Sequence, residues 1–476
     1  MIMKRFKILF ILPLFVTVFH SCDDPFSVDD YLGIEPKGQV VVSTLEQMEQ
    51  MLQHPDMFTF SNNVLQTLVT ERDYLDPVST LQMRPFVRIH YLWEDGPGAA
   101  SRYDHHLSDG YYNRLYQGIS RHNIILDNLP DVEGSQEVKQ RLQSEVRMLR
   151  AYNYFVLINT YAKHYDASSA AQDPGIPLST EFNLEASPAQ VSVQKIYDFI
   201  LEEIDASLPH LPDYPSDNIL PGKAFGYAFK AKVLLFMKRW DDALEAANES
   251  LKYTDALYDL VQYYQENMAK VPVVAAWPHV DRQIEENIFF RATDAWDFTV
   301  YSLDRIAKFD EGDTRLLSFF MEEPGLFPDG RMFMPSSTMG MRGLNMGGMK
   351  VSEVYLMRAE LYARSGDIQR AMQDVAYIRE HRILPEHYDP DEYTSVNTRA
   401  EAMDIIIRER ENELQLTFNR FWDLRRLNTE PEYQTTLTKE YDGQTYTLEP
   451  DSYLYIYPFS QQVLDYNPEL KINTDK

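Results

Sequence analysis

The chain has 476 residues, 44% of them hydrophobic, and it carries a formal net charge of −28 and a single cysteine, Cys22. One cysteine excludes an internal disulfide and every metal site built on two or more cysteines. The acidic balance argues against nucleic acid as a partner, because phosphate backbones are bound by clustered Lys and Arg. The hydrophobic content is ample for a packed core.

The first 21 residues have the anatomy of an export signal. A basic start with Lys4, Arg5 and Lys7 is followed by the apolar run ILFILPLFVTVF, which is too short to span a bilayer. Ser21 then precedes Cys22, and a cysteine at this place is typical of a bacterial lipoprotein signal. We predict a signal peptide over residues 1–21 and lipidation of Cys22. The alternative is an ordinary secretory signal with Cys22 as an unmodified thiol.

A tether is predicted next, over residues 22–38, because acidic residues, prolines and glycines follow one another there without a period. A single large domain is predicted over residues 39–476. Near its start, Ser43 is followed three residues later by Glu46, which predicts a capping box that opens the first helix.

Two long stretches of this domain, about 60–105 and 255–350, lack a helical period. The first is broken by prolines and glycines and is predicted to form loops, with Trp93 and Tyr103 exposed or half exposed. The second is aromatic and irregular, and its GLNMGG run is predicted to be a mobile Met-rich loop. Binding surfaces are often built on such insertions, so we call the two stretches together the ligand lobe.

Amphipathic helices are predicted over about 111–255 and 350–430. One apolar stripe with spacings of three and four consists of Leu142, Val146, Leu149, Tyr152 and Phe155. A second stripe consists of Ile196, Ile200, Ile204 and Leu208. The closing segment YLYIYPF alternates like a strand.

Residues 231–251 and 359–379 can be laid over each other as two helix–turn–helix units. Each unit has two alanines at the same spacing, which suits close helix approach: Ala231 with Ala243, and Ala359 with Ala371. Gly366 lies in the second turn, and Lys238 takes its place in the first. The pattern predicts stacked tetratricopeptide-like hairpins, and the alternative is two ordinary amphipathic hairpins.

Five blocks resemble hallmark segments of the SusD/RagB outer-membrane lipoproteins of Bacteroidetes. They are YYNRLYQGISRHNIILDNLP, SEVRMLRAYNYFVLINTYA followed by DPGIPLST, VYLMRAELYARSGD, IIIRERENELQLTFNRFWDLRRLN and YLYIYPFSQQVLDYNPELKIN. The resemblance implies a mainly α-helical fold with four tetratricopeptide-like units and a loop-rich lobe. It also implies lipid attachment at the surface of the outer membrane and a TonB-dependent, SusC-like transporter as partner. Departures at 417–419 and 457–459 indicate a divergent branch whose ligand need not be starch.

The resemblance also implies that ligand binds to the ligand lobe, where exposed rings and charged or amide groups suit the C–H faces and hydroxyls of sugars. The candidate residues there are Asp73, Trp93, Arg102, Tyr103, Trp277, Trp296 and Tyr301. The alternative for each is a packing aromatic or a solvated charge. Trp240 and Trp422 lie in helical blocks and are predicted to be core residues.

No motif predicts catalysis, a metal site or a cofactor. RERENEL from Arg408 holds several carboxylates, but the resemblance implies a structural ion-pair network there. DHH at 104–106 lacks a further histidine at ligand spacing, and GLNMGG lacks the Lys and Ser/Thr of a phosphate loop. We predict a surface-exposed, lipid-anchored protein that captures oligosaccharides for the transporter and is not an enzyme. The alternatives are a RagB-like peptide-binding lipoprotein and a surface glycoside hydrolase.

Overall fold

The structure is a computed structural model, and it describes residues 42–60, 70, 85–94, 109–267, 282–293, 303–322, 333–335 and 345–471, with 184, 186 and 416 excepted. In chain order, the described helices are α1 Leu45–Leu52, α2 Pro55–Phe58, α3 Pro85–Tyr91, α4 Gly110–Asn128, α5 Gln136–Tyr161, α6 Val193–Ser207, α7 Lys223–Phe236, α8 Trp240–Ser250, α9 Leu260–Asn267, α10 Leu303–Ile306, α11 Thr314–Phe319, α12 Val351–Ser365, α13 Ile368–Glu380, α14 Arg399–Glu413, α15 Asn419–Leu427 and α16 Gln461–Tyr466. Short 3-10 turns occur at Leu129–Asp131, Leu208–His210, Pro431–Tyr433 and Tyr453–Tyr455. Among these described helices, none is both long enough and apolar enough to cross a membrane.

The strands are short and occur in pairs. They are β1 Thr59–Phe60, β2 Pro174–Pro177, β3 Gln190–Ser192, β4 Asn287–Phe289, β5 Ala292–Thr293, β6 Phe320–Glu322, β7 Phe333–Pro335, β8 Met349–Lys350, β9 Leu437–Tyr441 and β10 Gln444–Leu448. β1 pairs with β5 in parallel, whereas β2–β3, β4–β8, β6–β7 and β9–β10 are antiparallel. The predicted mainly α-helical fold is therefore confirmed.

The first helix begins one residue later than the sequence predicted. Its capping box is formed by Thr44 and Gln47, not by Ser43 and Glu46. The Gln47 backbone N–H donates to the Thr44 hydroxyl at 3.2 Å, and the Gln47 side chain accepts from the backbone of Thr44. Ser and Thr are both favoured N-cap residues, and here the weaker of the two caps the helix, so local preference alone does not choose between neighbours.

The two predicted apolar stripes are buried, and they form the centre of the helical scaffold. All nine of their residues are no more than 7% exposed: Leu142, Val146, Leu149, Tyr152, Phe155, Ile196, Ile200, Ile204 and Leu208. Phe155 of α5 meets Phe229 and Phe236 of α7 and Trp422 of α15, with ring centroids 5.1–5.4 Å apart and edge-to-face angles. Such contacts join helices that are distant in sequence.

The two tetratricopeptide-like hairpins are α7–α8 and α12–α13, and α8 packs against α12. The four spaced alanines are completely buried at these contacts, as predicted: Ala231, Ala243, Ala359 and Ala371. Both turns need a left-handed residue. Gly366 has φ 89° and Lys238 has φ 59°, so the two turns have the same kind of backbone although only one contains glycine.

Replacing Lys238 with glycine is expected to raise the free energy of unfolding by about 0.5–1 kcal/mol, because glycine adopts positive φ without steric cost. The Lys238 side chain is exposed, so its loss removes no core contact. Urea denaturation measures the effect. The matched control, Gly366→Lys, should lower stability by a similar amount, and a less stable Lys238→Gly variant would contradict this account.

The RERENEL block forms the ion-pair network that the resemblance implied. Glu409 and Glu413 of α14 pair with Arg315 in the interior, and Glu413 also pairs with Arg382 at 2.9 Å. Arg410 pairs with Asp423 of α15 at 2.8 Å. These carboxylates are already engaged by guanidinium groups, so the block ties helices together.

Two further predictions of local structure are wrong. Pro85–Tyr91 is a helix and not a loop, because proline is well tolerated in the first turn of a helix. The closing segment is not a strand: Tyr453–Tyr455 is a 3-10 turn, and Gln461–Tyr466 is a helix capped by Ser460. Residues 455–460 are all buried, so the alternation in YLYIYPF does not correspond to one buried and one exposed face.

Candidate ligand-binding face

One edge of the ligand lobe lies at the end of α3. Six residues form it: Arg88, Tyr91, Trp93, Glu94, Lys439 and Tyr441. We call these six residues the Trp93 cluster. Hairpin β9–β10 supplies the last two of them. Asp442 and Gly443 form its two-residue turn, both with positive φ, as a type I′ turn requires.

Lys439 lies across two aromatic rings of this cluster. Its Nζ atom is 3.9 Å from the centroid of the Tyr91 ring and 4.5 Å from that of Trp93, and it donates a hydrogen bond to the Tyr91 carbonyl at 2.9 Å. A cation so close to two ring faces is attracted by both. The contact joins residues 348 positions apart.

Trp93 is buried, so the prediction of an exposed or half-exposed ring is wrong. The residue is only 7% exposed, because hairpin β9–β10 covers it. Its φ of 55° is left-handed, which costs an L-residue about 1–2 kcal/mol and persists only where surrounding contacts fix it. Trp93 therefore serves as an anchor of this edge and offers no open face for stacking.

The outer part of the cluster is polar and partly exposed. Arg88 donates two hydrogen bonds to Glu94, from Nη2 at 2.9 Å and from Nε at 3.2 Å, and their side chains are 39% and 16% exposed. The hydrogen bond to Glu94 raises the pKa of Arg88. The Arg88 guanidinium also lies 5.6 Å from the Tyr441 ring centroid. A guanidinium, a carboxylate and a half-buried ring suit hydroxyls and C–H faces.

Sequence reasoning missed Arg88, Glu94, Lys439 and Tyr441. A signal for the hairpin was available, because the Asp-Gly pair at 442–443 stands between two alternating runs. Nothing in the sequence indicated which residues the hairpin would contact.

A second cluster of hydrogen bonds surrounds Asn345, in another described part of the ligand lobe. We call the residues joined by these bonds the root of the ligand lobe. Its side-chain amide donates to Asn287 Oδ1 at 3.0 Å and to the Phe289 carbonyl at 2.9 Å, and its Oδ1 atom accepts from the backbone N–H of Arg291 at 2.8 Å. Tyr152 of α5 donates to the Gly347 carbonyl. The prediction of a mobile loop is thus wrong from Asn345 onward, because these bonds and burial fix the backbone.

Most of the candidate residues lie outside the described part of the chain. These are Cys22, Asp73, Arg102, Tyr103, Trp277, Trp296 and Tyr301, together with the DHH run at 104–106. Trp422 is core, as predicted. The same prediction is wrong for Trp240, which is only half-buried, with the Arg364 guanidinium 4.3 Å from its ring centroid. Within the described ranges, no group of three or more His, Cys, Asp or Glu could hold a metal ion.

The helical hairpins give the chain a tetratricopeptide-like architecture, and the Trp93 cluster is its candidate ligand-binding edge. Two sequence-family models match it. One, described as SusD-like and starch-binding associating with outer membrane, matches residues 59–235, and the other, described as the SusD family, matches residues 334–474. The chain belongs to the SusD/RagB family, whose members are binding proteins rather than enzymes.

Solved structures share its fold. A SusD superfamily protein from Bacteroides vulgatus ATCC 8482 is 18% identical with a TM-score of 0.71, and the match covers 90% of this chain and 99% of that one. One from Bacteroides thetaiotaomicron VPI-5482 is 18% identical with a TM-score of 0.66 and coverages of 91% and 100%. A laminarin-binding SusD-like protein is 18% identical with a TM-score of 0.60 and coverages of 89% and 97%. No curated protein matches the chain significantly.

Proposed function

We propose that the protein is a surface-exposed, lipid-anchored glycan-binding protein that captures oligosaccharides and delivers them to a SusC-like TonB-dependent transporter. Family membership supports the class of ligand, since one matching family is described as starch-binding and one structural neighbour binds laminarin. In the chain itself, the observation that carries the proposal is the Arg88–Glu94 pair beside Tyr441 at the edge of the ligand lobe.

The mechanism is binding without chemistry. Anchoring through Cys22 holds the ligand lobe at the membrane surface, where capture raises the local concentration of the oligosaccharide near its transporter. The candidate rings of the lobe, now without Trp93, are Tyr103, Trp277, Trp296 and Tyr301, and Asp73 and Arg102 supply polar groups. Movement of the lipoprotein over the transporter then commits the ligand to import.

Calorimetric titration of residues 23–476 tests the proposal, with a panel of neutral oligosaccharides, including laminarihexaose, and a panel of peptides. One class of glycan is expected to bind, and Trp296→Ala should weaken that binding about tenfold, as loss of an aromatic anchor does. The matched control is Phe182→Ala, which removes a ring that is 39% exposed on the helical scaffold and should change nothing.

Two other results of these experiments would favour the alternative functions. Heat with peptides and none with glycans would favour a RagB-like peptide carrier. The appearance of new reducing ends during incubation with glycans would contradict a binding protein and favour a surface glycoside hydrolase.

Replacing Cys22 with alanine is expected to release the protein from membranes, because it removes the only thiol that can be acylated. Fractionation of cells expressing the full-length chain measures the effect. A control, Ser21→Ala, keeps the thiol and a small residue before it, and it should leave the protein membrane-bound. Membrane retention of the Cys22→Ala protein would overturn the proposed anchor.

A further inference from the structure

A groove of about 380 Å³ lies on the helical scaffold, between α1, the N-terminal part of α5 and the loop that precedes α7. This volume falls within the range of small-ligand sites, roughly 300–1,000 Å³. The residues that give it its chemistry are Glu49, Leu52, Arg141, Glu145, Tyr214 and Leu220. Leu52 and Leu220 are buried and form an apolar floor.

Tyr214 presents an open ring at the rim of this groove. It is 74% exposed, which is unusual for a tyrosine in a compact unit. Its loop is nevertheless fixed: Lys223 donates its backbone N–H to the Pro212 carbonyl at 2.9 Å and its Nζ to Asp213 at 2.6 Å. An exposed ring on a fixed loop loses little conformational entropy when a ligand covers it.

The next anchor of the same loop is Asn218. Its side chain donates to the Arg282 carbonyl at 2.7 Å, and its carbonyl accepts from the backbone N–H of Phe290 at 2.7 Å. The loop is therefore tied both to α7 and to the 282–293 segment, which further restricts its motion.

The polar side of the groove consists of three charged groups joined by ion pairs. Arg141 Nη1 donates to both carboxylate oxygens of Glu145, at 2.9 and 3.0 Å, and Nη2 pairs with Glu49. Glu145 is almost completely buried, and this burial raises its pKa to about 6. The Glu49 side chain is 37% exposed, and each carboxylate oxygen has two lone pairs, so Glu49 retains capacity to accept from hydroxyl groups at the groove. The buried Glu145 holds Arg141 in place.

The balance of charge decides between classes of sugar. Two carboxylates face one guanidinium among the described lining residues, so the groove has a net negative charge near neutral pH. Uronic acids and sulfated sugars would be repelled. A neutral pyranose, by contrast, offers an apolar face to Tyr214 and hydroxyl groups to the partly exposed Glu49.

We propose that this groove is a second carbohydrate site, which binds one or two units of a neutral oligosaccharide by stacking on Tyr214 and by hydrogen bonds to Glu49. The inference rests on the proposed function in that the cargo is a glycan, but it concerns a different surface from the ligand lobe. Its consequence is that one molecule of the protein has two places at which a glycan binds.

A second exposed tyrosine supplies a matched control. Tyr466 is 78% exposed and borders a groove of about 530 Å³. The side-chain amides of that groove already donate to backbone carbonyls. Gln190 donates to the carbonyls of Gly175 and Lys471, and Asn467 donates to the Pro188 carbonyl. Tyr466→Ala therefore removes an equally exposed ring from a groove whose amides are occupied.

The test is calorimetric titration of residues 23–476 with laminarihexaose, maltohexaose, mannohexaose and an oligogalacturonate, using native protein, Tyr214→Ala, Tyr466→Ala, Glu49→Gln and Trp296→Ala. A neutral hexasaccharide is expected to give two binding events. Tyr214→Ala should weaken one of them about tenfold, Glu49→Gln should weaken the same one, and Tyr466→Ala should leave both unchanged. Trp296→Ala should leave the Tyr214-dependent event intact, and the oligogalacturonate should not produce it.

The outcomes separate this inference from the proposed function. A single binding event that Tyr214→Ala leaves unchanged would overturn the second site while the proposed function stands. A Tyr214-dependent event with the oligogalacturonate or with peptides would overturn the assignment to neutral sugars. Silence toward every glycan would overturn the proposed function and this inference together, whereas a Tyr214-dependent event that survives Trp296→Ala would support the second site by itself.

Discussion

Replacing Arg315 with methionine is expected to lower the free energy of unfolding by about 3–5 kcal/mol, the usual cost of removing one partner from a buried ion pair. Arg315 is 2% exposed and contacts three carboxylates: Asp313 at 2.7 Å, Glu413 at 3.0 Å and Glu409 at 2.5 Å. Methionine fills similar space but leaves these acids with less positive charge in an interior that water does not reach.

Glu413 gives the expected pH dependence of that loss. Its burial opposes ionisation, yet Arg382 and Arg315 hold the pKa of its carboxyl well below the ordinary value of 4.5. A depressed pKa in the folded state contributes stability that is complete above pH 4.5 and is lost as the pH falls toward the folded value. The part of the stability loss in Arg315→Met that comes from Glu413 should therefore be complete at pH 7 and should become smaller below pH 4.5.

Urea denaturation at pH 7 and at pH 4 measures both effects. The control is Arg370→Met, which breaks a pair with Asp367 whose side chains are 64% and 38% exposed. Exposed pairs contribute roughly 0–1 kcal/mol, so this variant should be almost as stable as the native protein. Equal stabilities for Arg315→Met and Arg370→Met would contradict the structural role of the network.

Replacing Gly348 with alanine is expected to lower stability by about 3 kcal/mol, at the upper end of the usual cost of overpacking. A Cβ atom at this position would overlap the Phe289 carbonyl oxygen and the Asn345 side chain. The first is backbone and cannot rotate away. The second holds Asn287, Phe289 and Arg291 through hydrogen bonds, so displacement of the Asn345 side chain would loosen the root of the ligand lobe.

Thermal unfolding together with glycan titration measures the result, because a loosened root should also weaken oligosaccharide binding. Gly118→Ala is the control. Gly118 is also buried, but its added Cβ would meet only the Asn153 side chain, at 2.7 Å, and alanine favours a helix. Gly118→Ala should stay within about 1 kcal/mol of the native stability. Native stability and native binding in Gly348→Ala would show that the backbone at 345–348 has more room than its contacts indicate.

The helical scaffold could be predicted from the sequence because each helix carries its own evidence. The stripe from Leu142 to Phe155 repeats at helical spacing, and burial on one face follows from that spacing alone. The spacing of the alanines at 231 and 243 likewise predicted the close contact between their helices. Local signals were sufficient wherever local periodicity determined which side chains face the core.

The edge of the ligand lobe could not be predicted in this way, because its burial is decided by distant partners. Trp93 stands in loop-like sequence beside Glu94, yet it is buried, and Lys439 of the distant hairpin lies over its ring. Asn345 stands in a glycine-rich run that looks mobile, yet three hydrogen bonds fix its amide. Sequence spacing contains no information on either contact.

The contact between Lys439 and Tyr91 has a consequence for the order in which the protein folds. It closes a loop of 348 residues, whereas the hairpins of the scaffold close loops of a few residues each. Bringing such distant segments together costs more chain entropy, and the cost falls once the intervening helices are compact. The Trp93 cluster is therefore expected to form late in folding, after the scaffold that separates its two halves in the chain.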